Sequence, residues 1–257
     1  MESINLPPAS LLTTHQFTNI TDLRNTFKTA INTGTTPPYI LFTGVPECAF
    51  KTLDKEDLLE RAAKYNYHKP SGSLLLKLHT DPIETAENLF ATVFSNELLL
   101  SEVSPHIIPR GGTAVRTEDE IKEPGLSYLP KEIPEGRSEI WPSVVVLFGY
   151  VDGLEYLRKE AQWWMRKSDG DVKSVVLVWV GRNKVGMEAW VQGARVKQQE
   201  VTQDGSTTVI SGDDMVLGIG DLLLKDDVSG SVRFNWGFLP NMAEGVWGCD
   251  WPEGVEA

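Results

Sequence analysis

Apolar positions in this chain fall into short dense runs, and between several of them the spacing turns helical. The clearest stretch is 142–180. Residues 143–150 read as a buried strand, 151–153 as a turn, 154–167 as an amphipathic helix and 172–180 as a second buried strand. Two β-rich runs joined by a helix make a βαβ unit, which predicts a mixed or parallel sheet with helices on its faces.

Before that unit the pattern predicts a helix over 22–31 with Leu23, Phe27, Ala30 and Ile31 on one face, then a strand at 39–45 and a helix at 53–65. A strand follows at 73–79. A helix then opens at Asp81-Pro82 and runs to about Phe94, with Ala86, Leu89, Phe90 and Val93 as its stripe. Residues 107–108 and 113–115 flank a Pro109-Arg110-Gly111-Gly112 turn, and the acidic segment 116–123 is expected to be exposed. Beyond Val180, strands are expected at 185–191 and 195–201, with further β-rich pieces at 215–224 and 228–238. The expectation is one α/β domain over 1–257: an N-terminal extension to residue 64, a core at 65–191 and a C-terminal antiparallel extension from 192.

Composition narrows the class. The 257 residues are 41% hydrophobic and 23% charged, no apolar run is long enough to span a bilayer, and the first residues lack a secretory pattern. A cytoplasmic protein with no membrane partner is expected, with Cys48 and Cys249 reduced. The net charge of −12 argues against a broad grip on nucleic acid but leaves room for a local basic patch. Clustered carboxylates would also suit a guanidinium or ammonium group. The four histidines have no ligand spacing, and no nucleophile motif, phosphate loop or dinucleotide fingerprint is present.

The segments KEPGLSYLP, WPSVVVLFGYVDGLEYLRKEAQWW and SDGDVKSVVLVWV resemble a fungal group of PD-(D/E)XK nuclease-like proteins, over roughly 65–191. The resemblance implies a nuclease-like mixed sheet flanked by helices. It also implies a divalent cation held by a glutamate on the first core helix, an aspartate in a KEPD-like segment and a glutamate after the VVV of the central strand. Glu84 matches the helix glutamate. Gly125 stands at the aspartate position and Leu147 at the strand glutamate position, and neither side chain can bind a cation. The resemblance therefore implies the fold without its metal chemistry, and no metal or other cofactor is expected.

Such a chain also resembles the fungal arginine-containing cyclodipeptide synthases, which look like this nuclease group. That resemblance implies an aminoacyl transferase joining two amino acids, one of them arginine, from charged tRNAs (arginyl-tRNA and a second aminoacyl-tRNA) into a diketopiperazine. Two alternatives stay open: a catalytically inactive binding protein, and a Mg²⁺-dependent phosphodiesterase with displaced carboxylates. Candidate catalytic groups are Glu84, Asp152 and Glu155 around the former metal cleft, with Asp152 also a candidate N-cap. Tyr128, Tyr150 and Trp163 are candidate substrate contacts. Arg158, Lys159 and Arg166 form a basic cluster that is either a solvated face or an RNA contact. On the 154–167 helix, Tyr156 and Trp163 lie opposite the core stripe, so another surface must cover them: other parts of the chain, a homodimer seam, or a substrate.

Overall fold

The computed structural model describes residues 4–33, 37–55, 63–204, 207–234, 237–252 and 255. In chain order the elements are β1 (Leu12–Gln16), α1 (Ile20–Thr33), β2 (Tyr39–Thr43), α2 (Glu47–Lys55), β3 (Ala63–His68), β4 (Ser73–Leu78) and α3 (Asp81–Leu100). Then come β5 (Ile107–Pro109), β6 (Val115–Arg116), β7 (Glu120–Lys122), β8 (Leu126–Pro130), β9 (Val144–Tyr150), α4 (Leu154–Lys167), β10 (Ser174–Gly181) and β11 (Lys184–Val191). The C-terminal part holds β12 (Ala194–Asp204), β13 (Thr207–Gly212), β14 (Val216–Gly218), α5 (Ile219–Leu223), β15 (Ser231–Arg233) and α6 (Phe238–Trp247).

Two mixed sheets dominate. The first has the order β1-β2-β4-β3-β7-β6 and the second β13-β12-β11-β10-β9-β8-β5, while β14 and β15 pair separately. The predicted βαβ unit is present: β9 and β10 run parallel, Val144 opposite Ser174 through Tyr150 opposite Val180, with α4 as the crossover. Every residue of β9 and β10 is buried, as expected for central strands covered on both faces. The extra strands at the C-terminal side are antiparallel, β11 to β10, β12 to β11 and β13 to β12.

Helix α4 packs on β9 and β10, while α3 and α6 pack together and reach the second sheet through β9, β10, β11 and β12. The first sheet presents two unlike faces. Ile40, Phe42, Leu74, Leu76, Tyr65 and Tyr67 join Leu23, Phe27 and Phe50 of α1 and α2 in one apolar cluster. On the alternate positions stand Lys64, Asn66, Lys77, Glu120 and Lys122, together with the buried Tyr39, Leu41 and Leu75, and this face meets α4. Strand periodicity alone produces the division. The layers thus run α1/α2, first sheet, α4, second sheet, α3/α6.

The chain passes between the sheets repeatedly. After β4, α3 leads to β5 in the second sheet; residues 110–114 return the chain to β6 and β7 in the first, and residues 123–125 carry it back to β8. The turn at 109–112 therefore links two sheets rather than closing a hairpin. The boundary expected at residue 64 falls inside β3.

Several expectations are corrected. The helix expected at 53–65 is α2, which starts at Glu47; residues 56–62 of that expectation lie outside the described residues, and Ala63 and Tyr65 belong to β3. The 116–123 segment is exposed only in part: Arg116, Glu118 and Asp119 face outward, whereas β7 buries Glu120, Ile121 and Lys122 within the first sheet. The pieces expected as β-rich at 215–224 and 228–238 include α5, and α6 begins at Phe238. Of the surfaces expected to cover Tyr156 and Trp163, it is another part of the same chain, the first sheet, that does so. Tyr39 meets Tyr156 edge-on with centroids 5.7 Å apart, and the Trp163 indole donates to Glu120. Among the described residues no helix is long and apolar enough to cross a membrane.

Candidate functional site

The register of β8 against β9 sets Leu126 opposite Val146, and the Gly125 N–H continues that ladder to the Val146 carbonyl at 3.0 Å. Extending the ladder by one residue places Gly125 beside Leu147. Both line one inner pocket between the sheets, together with Lys64, Lys77, Glu123 and Glu160. The two positions singled out by the resemblance are thus neighbours in space. The pocket encloses about 50 Å³. A wider cleft of about 460 Å³ shares Lys64, Tyr65 and Glu123 with it and is lined further by Arg110, Thr113 and Arg116.

The residues present do not fit a divalent cation. A Cβ at position 125 would stand 2.4 Å from Phe148 Cδ2 and 3.1 Å from Glu87 Oε1. The Phe148 ring therefore fills the space an aspartate stem would need, and Leu147 offers hydrocarbon where the second carboxylate would be. Among the described residues no group of three His, Cys, Asp or Glu stands close enough to hold a metal.

The pocket instead holds lysines. Strand pairing puts Tyr39 opposite Lys77 and Lys77 opposite Lys64, so the two lysines are direct cross-strand neighbours. The Lys77 ammonium donates to the Phe148 carbonyl at 2.7 Å. Burial pushes the Lys77 amine down to about 8; Glu87 opposes this and Lys64 adds to it. Just beyond the end of the strand, His79 is also held below its usual value, mainly by burial and then by Lys64. Its Nδ1 lies 3.2 Å from Glu84 Oε1, and its buried Nε2 has no hydrogen-bond partner among the described residues.

Deeper in, a buried ion pair ties the layers together. Lys122 Nζ lies 3.0 Å from both oxygens of Glu160, and Asn5 and Asn66 also donate to that carboxylate. Lys122 sits over the Trp163 ring at 4.1 Å. Each buried charge meets a partner, which is the condition for keeping it ionised away from water.

The expected site residues are dispersed. Glu84 is exposed on α3 and reaches the site only through His79; Glu87, one turn further along the helix, is the α3 carboxylate beside Gly125. Neither Asp152 nor Glu155 lines the pocket. Glu155 is exposed and pairs with Arg158, and α4 is capped at Gly153 with no side-chain cap bond, so Asp152 is not its N-cap. Tyr128 packs edge-on against Phe94 and Tyr150 hydrogen-bonds Thr80; both are buried, and burial pushes both phenols up. Trp163 lies under the first sheet, closed to a substrate in this conformation. Arg158 is engaged by the buried Glu188 as well as Glu155, whereas Lys159 and Arg166 are exposed. Lys64, Lys77, Glu87 and Glu123 escaped sequence reasoning. The available signal was a lysine interrupting the apolar run Leu74-Leu75-Leu76-Lys77-Leu78.

No family model matches the chain, and no curated protein sequence matches it. Among solved structures, a crystal structure of a proposed nuclease belonging to DUF820, from Anabaena variabilis ATCC 29413, aligns with 71% of this chain and 90% of its own. The TM-score is 0.42 and the identity 9%.

Proposed function

We propose that the protein is a metal-independent aminoacyl transferase that joins two tRNA-borne amino acids, one of them arginine, into a cyclic dipeptide within the cleft between its sheets. The observation that carries this reading is the pairing of Gly125 and Leu147 at the pocket, with the Phe148 ring filling the space beside them. A site so built retains its cleft and has lost its cation ligands. Aminoacyl esters are already activated, so positioning and proton transfer suffice for amide formation. The outer cleft supports the reading with Lys64, Arg110 and Arg116, suited to the phosphates of an RNA end. Glu123 in the inner pocket, which accepts the Tyr65 N–H, supplies a carboxylate of the kind that receives a guanidinium, whereas Glu160 is taken up by Lys122.

The test is expression in bacteria with isotope-labelled arginine, followed by mass spectrometry of the medium. A labelled diketopiperazine, formed also by purified protein with charged tRNA in excess EDTA, is the expected outcome. Failure to form it, together with Mg²⁺-dependent DNA cleavage, would return the protein to the nucleases. A second reading, an inactive binding protein, is favoured by the inner pocket's size, since 50 Å³ holds roughly one or two waters and must open for any amino acid. Retained tRNA binding without product would select it.

A further inference from the structure

The geometry points to Lys77 as the catalytic proton carrier of this site: its neutral amine takes the proton from the α-amine that attacks the aminoacyl carbonyl. This assignment rests on the aminoacyl-transfer reading above and adds a residue and a step to it.

Three observations carry it. Lys77 interrupts an apolar strand, and it lines the inner pocket between Tyr39 and Lys64. Like charges facing each other across a strand pair repel, so the row favours one neutral lysine. Its position on the β9 backbone is set by the bond to the Phe148 carbonyl, one residue beyond Leu147. A neutral amine can keep that bond with one N–H and still turn its lone pair toward the pocket. The groups facing it are Lys64 on β3, Glu87 on α3, Glu123 on the 123–125 crossing, Glu160 on α4, and His79 just beyond the end of its own strand. Tyr39, Tyr65 and Tyr156 also line the pocket, all with phenols pushed up by burial and so protonated. The value of about 8 for Lys77 agrees with this arrangement, and desolvation beside a second cation is a known way to activate an amine.

The step balances without a co-reactant. The α-amine nitrogen of one aminoacyl ester forms a bond to the carbonyl carbon of the other, and the ester C–O bond breaks. Lys77 accepts the amine proton and returns it to the departing ribose oxygen, leaving an amide, a free tRNA end and a neutral lysine. A second passage closes the ring and releases the second tRNA.

The test combines labelling with single-turnover kinetics on the full chain. Acetic anhydride labelling across pH, read by mass spectrometry, reports the Lys77 amine with no substrate present; titration near 8 is expected, and titration with the ordinary lysines would overturn the assignment. For wild type, the rate should rise with pH through about 8. Lys77→Met should lower it at least ~10²-fold with tRNA binding and thermal melting retained. Lys64→Met, which removes the neighbouring charge, should move the limb to higher pH, a displacement that a purely structural lysine would not produce. Active wild type with an undiminished Lys77→Met rate refutes this assignment alone. A wild type that makes no product refutes the transferase reading and the assignment with it.

Discussion

The two sheets bury their residues by opposite means. In the second sheet, β9 and β10 are valine-rich on both faces, and most of their side chains need no partner beyond hydrocarbon, with the Tyr150 hydroxyl bonded to Thr80 an exception. The first sheet is apolar toward α1 and α2; toward α4 it sets lysines, carboxylates and amides beside the buried Tyr39, Leu41 and Leu75. Hydrocarbon burial contributes about 1.5–3 kcal/mol for each large side chain, whereas charges taken from water roughly break even when well paired. The first sheet therefore gains less stability from its α4 face, where Tyr39, Leu41 and Leu75 bury hydrocarbon among charged groups, than from the face toward α1 and α2. What it gains in addition is a set of polar groups held at fixed register beside the cleft, where the candidate chemistry sits.

The largest test of this contrast is Lys122→Met, which leaves Glu160 buried without its cation. A loss of ~3–5 kcal/mol in urea denaturation is expected, with most of it recovered in Lys122→Met/Glu160→Leu. Failure of the double variant to recover would mean that the ion pair itself stabilises the α4 face.

The second test concerns the exception in the apolar sheet. Glu188 on β11 is fully buried, and burial disfavours its charged form. Hydrogen bonds from Arg158, Arg195 and Trp190 outweigh that, so its carboxyl lies below the usual range. Its folded value is depressed, so its contribution is complete above the unfolded carboxylate value of about 4.3 and is lost as pH falls through the folded value. Glu188→Gln should cost ~1.5–3 kcal/mol at neutral pH and flatten the acid limb of the stability curve. An unchanged acid limb would assign it to other carboxylates.

Gly125→Asp ranks third. Overpacking against Phe148 should cost ~1–3 kcal/mol, eased by adding Phe148→Ala, and calorimetry of the single variant with Mg²⁺ should show no binding. Tight Mg²⁺ binding there would contradict the misfit at this pocket. The smallest effect belongs to the first sheet's rim, where Arg116 pairs with Asp54 at 3.0 Å and is half-exposed. Arg116→Ala should lower stability by only ~0.2–1 kcal/mol.

How much could be read beforehand follows the same division. The centre of the second sheet was legible because uninterrupted runs such as Val144-Val145-Val146 and Val175-Val176-Leu177-Val178 mark buried strands, and α4 was found at its observed bounds. The edge strand β13, exposed throughout and rich in Thr, Ser and Gly, gave no such signal. The first sheet was only half legible. In Ala63-Lys64-Tyr65-Asn66-Tyr67 and Glu120-Ile121-Lys122 the alternation marks one buried face, and nothing local says that the polar face is buried too. Pairing across the layers decides that, which is why 116–123 looked exposed and Trp163 looked uncovered. The positions of Gly125 and Leu147 were legible through the resemblance, while the lysines beside them depend on cross-strand register, a long-range property.

The alternation of the chain between the sheets has a consequence for synthesis. The first sheet lacks β7 until residue 122 has been made, and β5 must wait for β8 before it has a strand to pair with. All six strands of the first sheet lie within residues 12–122, whereas every strand of the second except β5 follows residue 125. The strand order thus favours folding in two stages on the ribosome, with the first sheet assembled early and β5 left as an unpaired edge, open to chaperones, until β8 emerges.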